Sequence, residues 1–139
     1  MKNDYIYVFI SLFIVFVAGS VSLAADKPAK SLINFEAPTD LENIKVIKLS
    51  TDKNSSNFLI FIKKSVPPHR HLIHSESIYV LSGEANFTLG KRTFKIAKGD
   101  FINVPERTIH SVVVTSEKPL KVLSNQAPEF LGKDRVAVK

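Results

Sequence analysis

Residues 67–83, PPHRHLIHSESIYVLSG, contain three of the four histidines in this chain, a glutamate and the apolar start of a strand. His69 and His71 are two residues apart, so an extended strand places both imidazoles on the same face. Glu76 follows five residues after His71, and this odd offset would send its carboxylate to the opposite face of an unbroken strand. We therefore predict a bend or bulge through residues 72–75, after which one carboxylate joins two imidazoles around a common point.

The fourth histidine, His110, lies well downstream, behind Gly99 and Pro105. A single histidine on a strand is more often structural than a ligand, but its combination with the upstream pattern favours metal ligation. Three neutral imidazoles and one carboxylate suit a divalent transition metal such as Fe, Mn, Ni, Cu, Co or Zn, whereas Mg and Ca prefer oxygen ligands. Four protein ligands on a six-coordinate ion leave two positions for water, oxygen or a bidentate substrate.

The spacing of these residues resembles the two motifs of the cupin superfamily. The first motif reads roughly G-x5-H-x-H-x3,4-E-x6-G, and His69, His71, Glu76 and Gly83 fit it from the first histidine onward. The leading glycine is missing, and Lys64 lies near its place.

The second motif reads roughly G-x5-P-x-G-x2-H-x3-N, and Gly99, Pro105 and His110 fit it. Arg107 stands in place of the inner glycine and Val114 in place of the final asparagine. Neither replaced position is a metal ligand in the family, so the departures leave the predicted site intact.

The resemblance implies an all-β, single-domain cupin-type β-barrel, a jelly-roll-like double-stranded β-helix. It also implies a transition metal bound by His69, His71, Glu76 and His110. Family members include dioxygenases, isomerases, epimerases, lyases, decarboxylases and non-catalytic binding domains, and the fold does not choose among them. Our first hypothesis is a metal-dependent, dioxygenase-like enzyme acting on a small organic substrate. The alternatives are a non-catalytic module of the cell envelope that binds a metal or small ligand and, less favoured, a structural homodimer.

The start of the chain has the features of a signal peptide. An apolar run from Tyr5 to Ala18 precedes small residues at Ser22 and Ala24, as signal peptidase requires. We predict a signal peptide over residues 1–24, a flexible arm over residues 25–40 and the cupin domain over residues 41–139. The protein would then be exported, as a periplasmic or secreted protein without a stable membrane span. An uncleaved membrane anchor is the alternative, because the run is nearly long enough to span a bilayer.

Composition narrows the class of partner. The formal net charge is +6, but the basic residues are scattered along strands and turns rather than clustered with aromatic residues. This pattern indicates a solvated outer face and argues against nucleic-acid binding. The chain has no cysteine, so neither disulfides nor lipoprotein attachment contribute.

Short apolar segments separated by turn residues predict eight strands and no amphipathic helix in the mature chain. Residues 65–68, which include two prolines, are expected to end the second strand just before the histidines. The tail from Gln126 is expected to pack across the barrel or to reach a partner. The predicted strands cover residues 44–49, 57–62, 77–81, 84–89, 92–97, 101–104, 110–115 and 120–123.

Several side chains receive individual predictions. His74 has no place in the motif and is expected in a loop or at a rim, and Tyr79 is expected to pack. Glu84, Asn103 and Arg107 are candidates for acid–base roles at strand ends. The predicted interior consists of Phe58, Ile60, Ile62, Ile78, Val80, Phe87, Phe94, Ile96, Phe101, Ile102, Val112 and Val114.

Overall fold

The computed structural model describes residues 29–138, so the predicted signal peptide lies outside the described residues. The described chain is all-β, with one turn of 3-10 helix at Leu32–Asn34. Its strands are β1 (Ile44–Thr51), β2 (Ser56–Ile62), β3 (Ser65–His71), β4 (Ser75–Ser82), β5 (Glu84–Leu89), β6 (Arg92–Ala97), β7 (Phe101–Val104), β8 (His110–Val114), β9 (Leu120–Ala127) and β10 (Arg135–Ala137).

The strands form two five-stranded antiparallel sheets. The first sheet has the order β1-β2-β9-β4-β7 and the second has the order β10-β3-β8-β5-β6. The main core lies between them, because alternate side chains of each strand point inward. It is formed by Ile62, Ile78, Val80, Ala85, Phe87, Ile96, Ile102, Val104, Val112, Leu120 and Val122. The all-β prediction is therefore confirmed.

The predicted interior contains one error, at Phe101. Ile102 and Val104 of β7 are buried, whereas Phe101 is 64% exposed. Because successive side chains of a strand point to opposite faces, Phe101 and Ile102 cannot both enter the core. Tyr79 of β4 pairs with Phe101 on the outer face and is 43% exposed, so it packs less than predicted.

The break predicted at residues 65–68 is wrong, because β3 runs through both prolines to His71. The pairing of β3 with β8 shifts register between Val66 and His69, which places Pro67 and Pro68 in a bulge. A bulge tolerates proline because the extra residue is not required to donate to the neighbouring strand. Beyond His71 the strand ends, and β4 begins at Ser75, so the predicted bend is present.

The C-terminal tail completes the second sheet. β9 continues to Ala127, four residues further than predicted, and the chain then returns so that β10 pairs with β3. The tail therefore packs on the domain, which is one of the two outcomes predicted for it.

The chain before β1 packs on the outer face of the first sheet. The buried Lys121 ammonium donates hydrogen bonds to the backbone carbonyls of Leu32, Ile33 and Phe35, at 3.3, 2.9 and 3.0 Å. A second apolar cluster lies beneath this segment and consists of Leu41, Leu59 and Phe61. β2 is thus buried on both faces. The bounds of arm and domain stay predictions, and within residues 29–138 no helix has the length and apolarity to cross a membrane.

The turn between β4 and β5 depends on a glycine. Gly83 has φ +85°, and a Cβ at this position would lie 2.8 Å from the Leu120 Cα and 3.0 Å from the Pro119 carbonyl oxygen. Gly90, in the turn between β5 and β6, has φ +59° with no atom within 4 Å of such a Cβ. The two glycines therefore share an unusual backbone conformation but differ in the space around them.

We expect Gly83→Ala to lower the free energy of unfolding more than Gly90→Ala, measured by urea denaturation. Both variants place alanine at positive φ, which costs about 1–2 kcal/mol. Only Gly83→Ala forces a backbone collision, and overpacking of this kind typically adds about 1–3 kcal/mol. Equal destabilisation of the two variants would contradict the close approach of residue 83 to β9.

Candidate metal centre

The two sheets bring the four predicted ligands together. His69 and His71 lie on β3, and His110 opens β8 directly opposite His69 in the pairing of these strands. Glu76 lies on β4 of the other sheet, where it pairs with Gln126 of β9. All four side chains are buried between the sheets. The bend after His71 turns the carboxylate inward, as the odd spacing predicted.

Backbone carbonyls orient two of the imidazoles. His69 Nδ1 lies 2.9 Å from the Pro67 carbonyl oxygen, and His110 Nδ1 lies 3.0 Å from the Thr108 carbonyl oxygen. A carbonyl oxygen only accepts, so Nδ1 donates the proton in both neutral rings and Nε2 keeps its lone pair. Metal-ligating histidines are typically held in this way by a partner on their second nitrogen.

The Glu76 carboxylate divides its two oxygens between different partners. Oε1 accepts hydrogen bonds from the Ser124 hydroxyl and, at 3.4 Å, from Gln126 Nε2. Oε2 lies 3.5 Å from His71 Nε2 and 3.3 Å from His110 Nε2. Both of these ring nitrogens are buried without a hydrogen-bond partner. Each of the three histidines has a ring nitrogen within 4.8 Å of one from both of the others.

The protonation states suit metal ligation. Burial raises the pKa of Glu76, but the hydrogen bonds that the carboxylate accepts, among them that of the Ser124 hydroxyl, outweigh burial and lower this pKa below its usual range. Burial, helped by the neighbouring His110, lowers the pKa of His69 to about 4. At neutral pH, Glu76 is therefore ionised and His69 is neutral, the forms that bind metal.

The four side chains line a cavity of about 400 Å³ between the sheets. Most of its other lining residues are apolar, among them Ile60, Phe87 and Val112. This combination of an apolar lining with a few convergent polar groups is typical of a small-molecule site.

The three acid–base candidates are not among the residues that line this cavity. Glu84, Asn103 and Arg107 are all exposed. Arg107, which replaces the motif glycine, adopts φ +60°, and its backbone N–H donates to the His71 carbonyl oxygen at 2.6 Å. The left-handed conformation favoured by glycine is thus retained here by arginine.

His74 lies in the loop between β3 and β4, as predicted, but it is 2% exposed and so does not lie at a rim. Its Nδ1 bonds the Asp134 carboxylate, and its Nε2 donates to the Glu129 carbonyl oxygen at 2.8 Å. Burial lowers the pKa of His74, but the bonds to Asp134 and Glu129 outweigh it, and the net effect raises this pKa.

Asp134 holds the whole loop in place. Its Oδ1 accepts the backbone N–H groups of Leu72 and Ile73 at 2.9 and 3.0 Å. Its Oδ2 lies 3.7 Å from His71 Nδ1, on the side of that ring away from Glu76. Sequence reasoning missed Asp134, which lies outside both motifs and 60 residues from His74.

Comparisons with known proteins identify the family of this chain. The family model described as "Cupin domain" matches residues 59–124. An uncharacterised protein of Aquifex aeolicus is 36% identical over 104 residues, which cover 75% of this chain and 85% of the relative. This chain belongs to the cupin family.

Solved structures share the cupin fold at low sequence identity. A double-stranded β-helix protein of Klebsiella pneumoniae has a TM-score of 0.69 and 15% identity, and the match covers 82% of this chain and 99% of the other. Pac13 of Streptomyces, a nucleoside dehydratase, has a TM-score of 0.62 and 19% identity, with coverage of 81% and 92%. At these identities the likeness extends to the fold alone.

We expect Asp134→Ala to lower the free energy of unfolding by about 3–5 kcal/mol, because it leaves a buried histidine and two part-buried loop N–H groups without their partner. Asp52→Ala is the matched control, since Asp52 Oδ1 accepts the backbone N–H groups of Asn54 and Ser55 in an exposed turn. The control should lose only about 1 kcal/mol. Similar losses in urea denaturation would contradict a structural role for the Asp134–His74 pair.

Proposed function

We propose that this cupin is a metal-dependent enzyme that acts on a small organic molecule, with a divalent transition metal bound by His69, His71, Glu76 and His110. The observation that carries the proposal is the convergence of unpartnered histidine nitrogens on Glu76 Oε2 inside a largely apolar cavity.

The donor set fits a metal ion. A buried polar atom without a partner costs about 1–3 kcal/mol, and both His71 Nε2 and His110 Nε2 are in this state. An ion among these nitrogens and Oε2 would satisfy both atoms at once. Three imidazoles with one carboxylate favour iron, manganese, cobalt, nickel, copper or zinc over magnesium or calcium.

The protein's own residues would hold the ligands and limit the access of water. The carbonyls of Pro67 and Thr108 orient two rings, and Ser124 and Gln126 hold Oε1 so that Oε2 faces the histidines. A bound ion would supply Lewis acidity and, if redox-active, the oxygen chemistry of a dioxygenase-like reaction. The apolar lining would strengthen electrostatic contacts with a substrate by excluding water.

A non-catalytic binding module is the second candidate. Among the described residues that line the cavity, none beyond the four proposed ligands is a histidine, aspartate, glutamate, lysine or tyrosine. A proton-transfer group independent of the ligand set is therefore lacking there. A cupin of the cell envelope that captures a small ligand without converting it would need no such group.

We expect His110→Ala to lower metal affinity more than about 100-fold, because even an outer-shell partner of a metal ligand typically contributes roughly 10–100-fold. Elemental analysis of protein purified without tag or chelator measures this change. Val113→Ala is the control, since Val113 lies on the same strand with its side chain exposed. Wild type and control should carry near one equivalent of metal.

Full metal occupancy in folded His110→Ala would overturn the ligand assignment. Oxygen uptake and product analysis with a panel of small organic acids then separate the two candidate functions. Turnover that is lost with the metal supports the enzyme, whereas retention of an unchanged ligand supports the binding module.

We also propose that the protein is exported after cleavage behind Ala24, on the sequence pattern alone. When the full sequence is expressed in a bacterium with a periplasm, the protein should be recovered from the periplasm with the mass of a chain that starts at Ala25. Ala24→Arg, which removes the small residue at the cleavage site, should retain residues 1–24. An uncleaved wild type in the membrane fraction would instead support the anchor.

A homodimer stays a prediction, for which the exposed Tyr79 and Phe101 offer an apolar outer face.

A further inference from the structure

The cavity contains a cation that the proposed metal centre does not use. Arg135 opens β10 and pairs with His71 of β3. Directly opposed residues of an antiparallel pair share one face of the sheet, so the Arg135 side chain is on the cavity side, beside a proposed ligand. Arg135 accordingly lines the cavity, at its solvent-exposed edge.

Arg135 is the only lysine or arginine among the described residues that line the cavity, and Glu76 is the only carboxylate. Among residues 29–138, no carboxylate forms an ion pair with Arg135. Since Glu76 already faces the histidines, the guanidinium has no partner of its own. Arginine remains charged at neutral pH and binds carboxylates through two parallel hydrogen bonds. The natural complement of Arg135 is therefore an anionic group on the ligand.

A second polar side chain of the cavity lining, that of Gln126, also has an atom without a partner. Gln126 is buried, and its Oε1 has no hydrogen-bond partner, although its Nε2 donates to Glu76. Exchanging the two amide atoms would place an acceptor against the ionised carboxylate, so the oxygen is the atom left free. An amide oxygen only accepts, and a hydroxyl group on the ligand would satisfy it.

The remaining residues that line the cavity are mostly apolar, and they indicate an apolar part of the ligand. Ile44 and Val46 of β1 line the cavity but are 41% and 51% exposed, and Phe58 lies on the adjacent strand. Apolar side chains left open to solvent beside a cavity gain free energy when a ligand covers them. The ligand should therefore have an apolar part as well as its anionic group.

We propose that Arg135 and Gln126 select, as the ligand of this cavity, a small carboxylic acid that carries a hydroxyl group and an apolar side group. The inference rests on the proposed function in placing this ligand beside a metal. Its recognition by Arg135 concerns a separate side chain and is tested separately.

The test uses mandelate, which combines a carboxylate, a hydroxyl and a phenyl group, with mandelamide and phenylacetate as analogues that lack the charge and the hydroxyl respectively. Dissociation constants are measured by calorimetry on the full mature protein with its metal content determined. Wild type should bind mandelate more tightly than either analogue. Arg135→Ala should weaken mandelate binding roughly 10- to 100-fold, the range for one charge-assisted hydrogen-bonded contact, and leave mandelamide binding unchanged.

Two further variants serve as a conservative change and as a control. Arg135→Lys keeps the charge and should retain part of the affinity for mandelate. Arg92→Ala removes an exposed arginine of β6 that does not line the cavity, so this variant should bind mandelate like wild type. The proposal is overturned if folded wild type does not bind mandelate, if it binds mandelamide equally well, or if Arg135→Ala binds mandelate like wild type.

The same measurements separate this proposal from the proposed function. Mandelate binding that depends on Arg135 in a wild type that takes up no transition metal would support the ligand class and overturn the metal-dependent enzyme. A metal-loaded wild type whose mandelate binding does not depend on Arg135 would overturn the ligand class but not the proposed metal centre.

Discussion

A buried, ionised carboxylate from one sheet faces imidazole nitrogens from the other, and the rest of the structure is arranged around this contact. Removing a carboxylate from water costs several kcal/mol unless hydrogen bonds and opposite charge compensate. Ser124 and Gln126 compensate Glu76 Oε1, whereas Oε2 faces His71 Nε2 and His110 Nε2, which have no hydrogen-bond partner of their own. Unpartnered buried nitrogens lower stability, and a cation is the group that would satisfy both of these nitrogens together with Oε2.

The strand register that builds the core also builds the site. Glu76, Ile78 and Val80 alternate inward along β4, so a one-residue slip would turn the core residues and the carboxylate outward together. In the pairing of β4 with β9, Gln126 lies opposite Glu76 and Ser124 lies opposite Ile78. The side chains of Gln126 and Ser124 both donate hydrogen bonds to Glu76 Oε1. Burial of the apolar residues thus supplies the free energy that holds the polar ones in position.

What could be predicted from the sequence is what depends on local periodicity. The two-residue spacing of His69 and His71 and the odd offset to Glu76 predict one face and a bend, because strand geometry acts over a few residues. Interior placement fails at Phe101 because hydrophobicity alone does not choose between adjacent residues of a strand. Asp134 and Arg135 could not be predicted for another reason. They lie beside the histidines only because β10 pairs with β3, and a pairing between distant segments leaves no local pattern in the sequence.

The C-terminal strand connects the two parts of the site. Asp134 holds the loop behind His71 and lies beside its Nδ1, while the next residue, Arg135, is directly opposite His71 on the cavity side. One short strand thereby positions a proposed metal ligand and presents the cation beside it. The histidines of this site lie within residues 59–124, which match the family model, whereas this strand lies outside that range. In this chain, the choice of organic ligand is therefore expected to depend on the edge strands β10 and β1 rather than on the four proposed metal ligands.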